Sequence, residues 1–230
     1  MKTILNHLYT VALILALLFT CDADAHAGQK NKKSKKGGKT EVIKLFNGKD
    51  LGGWIFFLKD PSVDPASVFT VKEGVINIKG DPFGYMRTVG SFSDYRLNVE
   101  WRWPVEPTNS GVFVHALTPD NIWIKCIECQ LAAGNAGDFI CMNGTDMNER
   151  TDKSSIVVKK KALSSEKPAG EWNIMEIACS GNTIEVYVNG VLQNKGSGVN
   201  VNEGHICLQS EGKEIQFRNV WLSRAKKKNK

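Results

Sequence analysis

Beyond about residue 40, apolar and polar residues alternate with a period of two, and no stretch there carries a 3.6-residue apolar stripe of helical length. The alternation predicts strands over residues 42–46, 68–72, 75–79, 85–88, 95–103, 111–116, 121–131, 138–142, 171–179, 183–188, 191–194, 204–209 and 215–223. Turn formers punctuate them: Glu73-Gly74, Asp81-Pro82, Asn109-Ser110-Gly111, Thr118-Pro119-Asp120, Gly134-Asn135-Ala136-Gly137 and Ser180-Gly181-Asn182. Asn189-Gly190 between two alternating runs is a hairpin signal, because both residues accept the positive φ of a type I′ turn. Many short strands with regular turns predict an all-β sandwich or barrel. Residues 143–161 break the pattern; they are polar and charged around one apolar island at 156–158. So long a segment reads either as a wall over a binding face or as a solvated insertion.

Alternation also sorts side chains by face. Ile127, Cys129 and Leu131 share the natural core face, which turns Glu128 and Gln130 to the opposite side. By the same rule His115 lies with Phe113, away from Val112 and Val114, while His205, Cys207 and Gln209 lie away from Ile206 and Leu208. An acid between apolar neighbours in mid-strand needs a reason, since burying an unpaired charge is costly. A curved sheet with amides, a carboxylate and aromatic residues on its hollow side has the outline of a sugar-binding surface. Trp54, Trp101, Trp103 and Trp123 are candidate stacking platforms, against the competing reading of each as core.

The two ends read differently from the body. Leu8 to Thr20 is an apolar run of signal-peptide length, too short to span a bilayer, and it is followed by Ala23-Asp24-Ala25 and Ala25-His26-Ala27. Residues 1–27 are therefore expected to direct export. A loose lipobox ends at Cys21, so the expected location is the periplasm or an outer-membrane lipoprotein held through lipid on Cys21. Residues 28–43 form a basic linker, residues 44–223 the folded body and residues 224–230 a basic tail. The formal charge of +6 comes from these ends. Removing the 13 basic and 3 acidic residues of 1–44 and 223–230 from the totals of 30 and 24 leaves 17 and 21, a body near −4. No basic face for nucleic acid follows from the high isoelectric point.

An oxidising compartment permits disulfides. If Leu131 pairs with Phe139 across the Gly134–Gly137 turn, Cys129 faces Cys141. Cys126 and Cys129 have zinc-ligand spacing, but strand alternation sends them to opposite faces and no second ligand pair accompanies them. No cofactor motif stands out, although a divalent metal could replace polar donors in a site.

Several stretches, in order, resemble one family. They are Leu45-Phe46-Asn47-Gly48-Lys49-Asp50-Leu51-Gly52-Gly53-Trp54, Asn109-Ser110-Gly111-Val112-Phe113, Glu128-Cys129-Gln130-Leu131, Gly170-Glu171-Trp172-Asn173, Val188-Asn189-Gly190, and Leu208-Gln209-Ser210-Glu211-Gly212 with Phe217-Arg218-Asn219-Val220. Together they resemble the 3-keto-disaccharide hydrolase domain family, formerly a domain of unknown function. The resemblance covers Leu45 to about Leu222. It implies a concanavalin A-like jelly roll of two antiparallel sheets. It also implies an exported enzyme cleaving the glycosidic bond of 3-keto-glycosides. The chain departs from the family at His115, at Gly204-His205-Ile206-Cys207-Leu208-Gln209 and between Gly137 and Thr151.

A ketone at C3 acidifies the proton on C2. A base can remove it, and the C1 oxygen, β to the carbonyl, can then leave; water adds afterwards, or hydrolysis occurs directly. The chemistry needs a base of suitable pKa, a donor for the enolate oxygen and an acid for the leaving oxygen. Glu128 and His115 are the candidate catalytic residues. Gln130, Gln209, Glu211, Arg218, Asn109 and Trp123 are the candidate substrate contacts. A paired-carboxylate glycosidase would use Glu128 with Glu211. A lectin-like module without catalysis, or an interaction domain that binds no sugar, remain competing readings at this point.

Overall fold

The structure is a computed structural model that describes residues 40–225. The expected export segment, Cys21, most of the basic linker and the tail from residue 226 lie outside the described residues. Fifteen strands and one 3-10 turn make up the rest: β1 (Thr40–Lys44), β2 (Trp54–Leu58), β3 (Phe69–Lys72), β4 (Val75–Ile78), β5 (Gly84–Thr88), β6 (Tyr95–Arg102), β7 (Gly111–Leu117), β8 (Lys125–Gln130), β9 (Phe139–Met142), β10 (Val157–Val158), β11 (Asn173–Ser180), β12 (Thr183–Val188), β13 (Val191–Gly196), β14 (His205–Ser210) and β15 (Ile215–Ala225). The pairings are antiparallel and form two sheets. One runs β13-β12-β11-β6-β15-β4-β3 with β1 added on β15; the other runs β10-β9-β8-β7-β14-β5-β2. This is the all-β sandwich that the strand pattern predicts, with the two antiparallel sheets of the jelly roll that the family resemblance implies.

The sheets pack through their alternating apolar faces. Val112, Val114, Ile127, Cys129, Phe139, Ile206 and Leu208 from one meet Leu97, Val99, Trp101, Ile177, Val186, Phe217 and Leu222 from the other. Burying each such side chain contributes about 1.5–3 kcal/mol against leaving it exposed. Trp54, Trp101 and Trp103 are all in this core; the Trp54 indole donates to the Leu45 carbonyl at 2.8 Å, and Trp101 and Trp103 pack edge to face at 6.0 Å. Three of the four candidate platforms are thus structural. Asn189 has φ 50° and Gly190 φ 80°, as the hairpin between β12 and β13 requires.

Some sequence expectations are corrected. β2 was not expected, because Trp-Ile-Phe-Phe-Leu has no polar alternation to reveal it. β1 begins at Thr40 and pairs with β15, so the sheet takes in residues that composition placed in the linker. Residues 121–124 belong to a loop rather than to the strand that follows. The pairing of Cys129 with Cys141 does not occur: Cys129 lies opposite Phe139 and Cys141 opposite Ile127, a register two residues away, and both thiols are free. The tight turn sets that register, since Gln130 donates to the Asp138 carbonyl and Gly137 to the Gln130 carbonyl. Cys126 and Cys129 do fall on opposite faces, in two different apolar clusters.

Candidate active site

The outward face of the β10–β2 sheet has two halves. A second apolar cluster fills one: Tyr85, Phe113, Ala116, Cys126, Ile140, Met142 and Cys207, covered by Ile124 from the loop of residues 118–124. Asp120 pins that loop. It accepts from Arg87 Nε at 2.7 Å and Nη2 at 2.9 Å, and from the Tyr85 hydroxyl at 3.0 Å. The other half is polar. Cross-strand pairing lines up Phe113 with Glu128 and Glu128 with Ile140, then Gly111 with Gln130 one step further along. Gln209 lies on the same side, opposite Tyr85.

Gly111 shapes this half. A Cβ there would overlap the Glu128 carboxyl, so the absent side chain lets Glu128 lean diagonally from β8 across β7. Glu128 is only 4% exposed, and its Oε1 has no hydrogen-bond partner. Burial, reinforced by the nearby Glu211 charge, pushes its pKa up to about 8. Glu211 leaves the end of β14 beside it. Burial raises its pKa, while the side-chain amides of Asn109 and Gln209 favour its charged form. Asn109 Oδ1 and Gln209 Oε1 are themselves buried without partners. Three orphaned polar atoms around one carboxyl mark a place built to meet a polar ligand.

Two further features border it. Gln130 spends its carbonyl oxygen on the Leu131 and Ala132 amides at 2.9 and 3.0 Å, which fixes the side chain and leaves its NH2 as the free end. Trp123, 57% exposed, stands on the loop pinned by Asp120 and tilts against Phe83 at 5.4 Å between ring centroids. Ser210 lies opposite Gly84, so the next residues outward, Glu211 and Phe83, leave the sheet at the same end. The aromatic pair therefore walls the polar half.

Sequence reasoning thus placed Glu128, Gln130, Gln209, Glu211, Asn109 and Trp123 around one surface. It misplaced two residues. His115 is fully buried on the core side, edge-on to Tyr95 at 5.8 Å, with Nδ1 3.1 Å from the Val201 carbonyl. The cause is a bulge: pairing with β8 shifts between Val114 and Leu117, His115 takes φ 54°, and Ala116 takes the outward place opposite His205. Gly204 makes room, since a Cβ there would strike the His115–Ala116 backbone. Burial lowers the His115 pKa to about 4, so the ring is neutral, and it is turned away from the outward face. Arg218 is on the outer face of the other sheet, where it pairs with Glu100 at 2.7 Å and covers the Trp172 ring at 4.1 Å.

Two residues were missed. Past the Ile140–Val157 and Phe139–Val158 pairs, Asp138 and Lys159 continue the row of Gln130. Asp138 is 2% exposed and accepts from Lys159 Nζ and the Lys160 amide, both at 2.8 Å. The apolar island expected at 156–158 is what becomes β10 and delivers Lys159 to this edge.

A profile of the 3-keto-alpha-glucoside-1,2-lyase-like domain matches residues 41–223, nearly the whole described body. The chain belongs to that family. No curated protein matches the chain at a significant level. Among solved structures it is similar to a protein of Parabacteroides distasonis described provisionally as a glycosyl hydrolase, with TM-score 0.60, 18% identity, and coverage of 81% of this chain and 94% of the other. It also resembles a carbohydrate-binding module from Bacillus subtilis (TM-score 0.56, 10% identity, 73% and 93% covered). A Bacillus licheniformis β-glucanase gives TM-score 0.54 and 13% identity over 84% and 100% of the two chains. At these identities the neighbours of this lyase-like domain establish its sandwich fold.

Proposed function

We propose that the protein cleaves the glycosidic bond of 3-keto-glycosides, with Glu128 and Glu211 as its acid and base. The observation that carries this reading is the buried, partnerless Glu128 carboxyl, held over Gly111 beside a second carboxyl. Two carboxyls in unequal surroundings divide acid and base work between them. A pKa near 8 leaves Glu128 protonated at neutral pH, ready to donate. Glu211, with amides favouring its anion, keeps a basic lone pair.

The steps balance within this pair. Glu211 takes the C2 proton, and the C2–H electrons form the C2–C3 double bond of an enolate. The enolate re-forms the ketone as the C1–oxygen bond breaks, and the leaving oxygen takes the Glu128 proton. An unsaturated 3-keto sugar results, to which water adds. The Gln130 NH2 is placed to bond ring hydroxyls, and Trp123 to stack on an apolar sugar face. The export expected from residues 1–27 would bring the domain to extracellular sugars.

The test is incubation with a 3-keto-glucoside and with its unoxidised parent. The keto sugar should be consumed, transiently giving the ultraviolet absorption of a conjugated enone, and the parent should not. Glu128→Gln and Glu211→Gln should each cost about 100-fold or more in kcat. Binding of the keto sugar without turnover would reject the reading.

A further inference from the structure

We infer that Lys159, anchored by Asp138, is the group that receives the C3 carbonyl oxygen and the negative charge that grows on it. The inference rests on the reading above and adds the residue that would make the site choose an oxidised sugar.

The geometry comes from register. The Glu128 carboxyl lies over Gly111 on β7, Gln130 follows on β8, then Asp138 immediately before β9 and Lys159 immediately after β10. Neighbouring strands are ~4.8 Å apart, so the acid over β7 and the ammonium drawn in over β9 are separated by roughly 9–10 Å. That span holds one pyranose ring above Gln130 with a hydrogen bond at either side. The leaving oxygen on C1 and the ketone on C3 are on opposite sides of C2, so an acid and a cation at opposite edges of the ring match both ends of the reaction.

The pair is built for such a task. Asp138 is buried, and its two oxygens are taken up by the Lys160 amide and Lys159 Nζ. Its charge holds the ammonium at one point, while Lys159 itself stays 71% exposed and so remains able to donate outward. A lysine has three donors, and the Asp138 contact uses one. Lys159 also borders open space. With Arg150, Val157 and Lys161 it lines a cavity of about 350 Å³ that neither Glu128 nor Gln130 borders, so Lys159 stands between that space and the polar row. An ammonium attracts an enolate oxygen far more than a neutral hydroxyl, so its contribution appears mainly in the transition state and only with the keto sugar. Protons and electrons follow the path already given; Lys159 donates a hydrogen bond throughout and is not consumed.

The experiment follows exchange of the C2 proton of a 3-keto-glucoside with deuterium oxide by NMR, beside kcat and KM for cleavage. Lys159→Met should slow both exchange and kcat by about 100-fold. Affinity for the unoxidised parent should be unchanged, and Lys159→Arg should recover part of the rate. Asp138→Asn, a positioning change, should lower kcat with little effect on KM. Because Lys159 is exposed, Lys159→Met tests the inference even if Asp138→Asn does not fold. Wild-type exchange rates in Lys159→Met would overturn the role of Lys159 while leaving the carboxyl pair standing. Absence of exchange and cleavage in the wild type would remove the carboxyl pair, and this inference with it.

Discussion

The Glu128 carboxyl occupies the space that a side chain at Gly111 would fill, one strand away and two residues along. Gly111 is not at a positive φ, so its role here is room and not backbone freedom. Gly111→Ala should therefore leave the strand intact and displace the carboxyl. The expected result is a loss of about 100-fold in kcat, as for other misplacements near 1 Å, with an unchanged far-ultraviolet circular dichroism spectrum. Normal turnover in this variant would show that the position of Glu128 is not critical.

Glu128 should also cost the protein stability. Its pKa is about 8 in the fold against 4.5 for the free group. Between those values the native state binds the extra proton, so stability falls as pH rises from 4.5 to 8. At pH 7 the penalty is about 3 kcal/mol. Glu128→Gln should be more stable than the wild type near pH 8, with the advantage shrinking toward pH 4.5. Thermal unfolding across that range checks the sign, and a destabilised Glu128→Gln at pH 8 would contradict it.

His115 should produce the opposite slope. Its pKa is about 4 in the fold against 6.5 when free, so below pH 6.5 the unfolded chain takes the proton first. Stability present above pH 6.5 should decline as pH falls toward 4, by about 3 kcal/mol in total. His115→Asn, which tolerates the positive φ, should lower stability overall yet flatten this acid limb. Denaturant titrations at pH 7, 5.5 and 4 would show it.

Trp123 and Arg218 should separate in their effects. Trp123→Ala removes an exposed ring and should raise KM about 3- to 10-fold with kcat retained. Arg218→Ala, on the outer face of the other sheet, should leave kcat/KM within about twofold and cost at most about 1 kcal/mol. Steady-state kinetics of the two variants side by side would decide whether substrate lies on the outward face of the β10–β2 sheet.

Much of this was legible because alternation is a local property. Glu128, Gln130 and Gln209 followed from single strands whose apolar neighbours declared the core face. The failures have non-local causes. Nothing between Val112 and His115 announces a bulge, whose room comes from Gly204, the residue just before β14. Arg218 was assigned without knowing which sheet its strand joins. Turn hydrogen bonds set a register that keeps Cys129 and Cys141 apart, and nothing in either strand alone encodes them. Asp138 and Lys159 were overlooked because their pairing depends on a two-residue strand inside a charged segment.

β15 pairs with β1, β4 and β6, in the middle of its sheet, although it is the last of the described strands. Neither β4 nor β6 has its inner neighbour until residues 215–225 arrive, so this layer cannot zip up progressively from the front of the domain. Assembly must wait for a late, long-range event, and such topologies fold slowly. Until that last strand docks, β4 and β6 each hold an unpaired edge, the kind of edge at which a foreign strand can add.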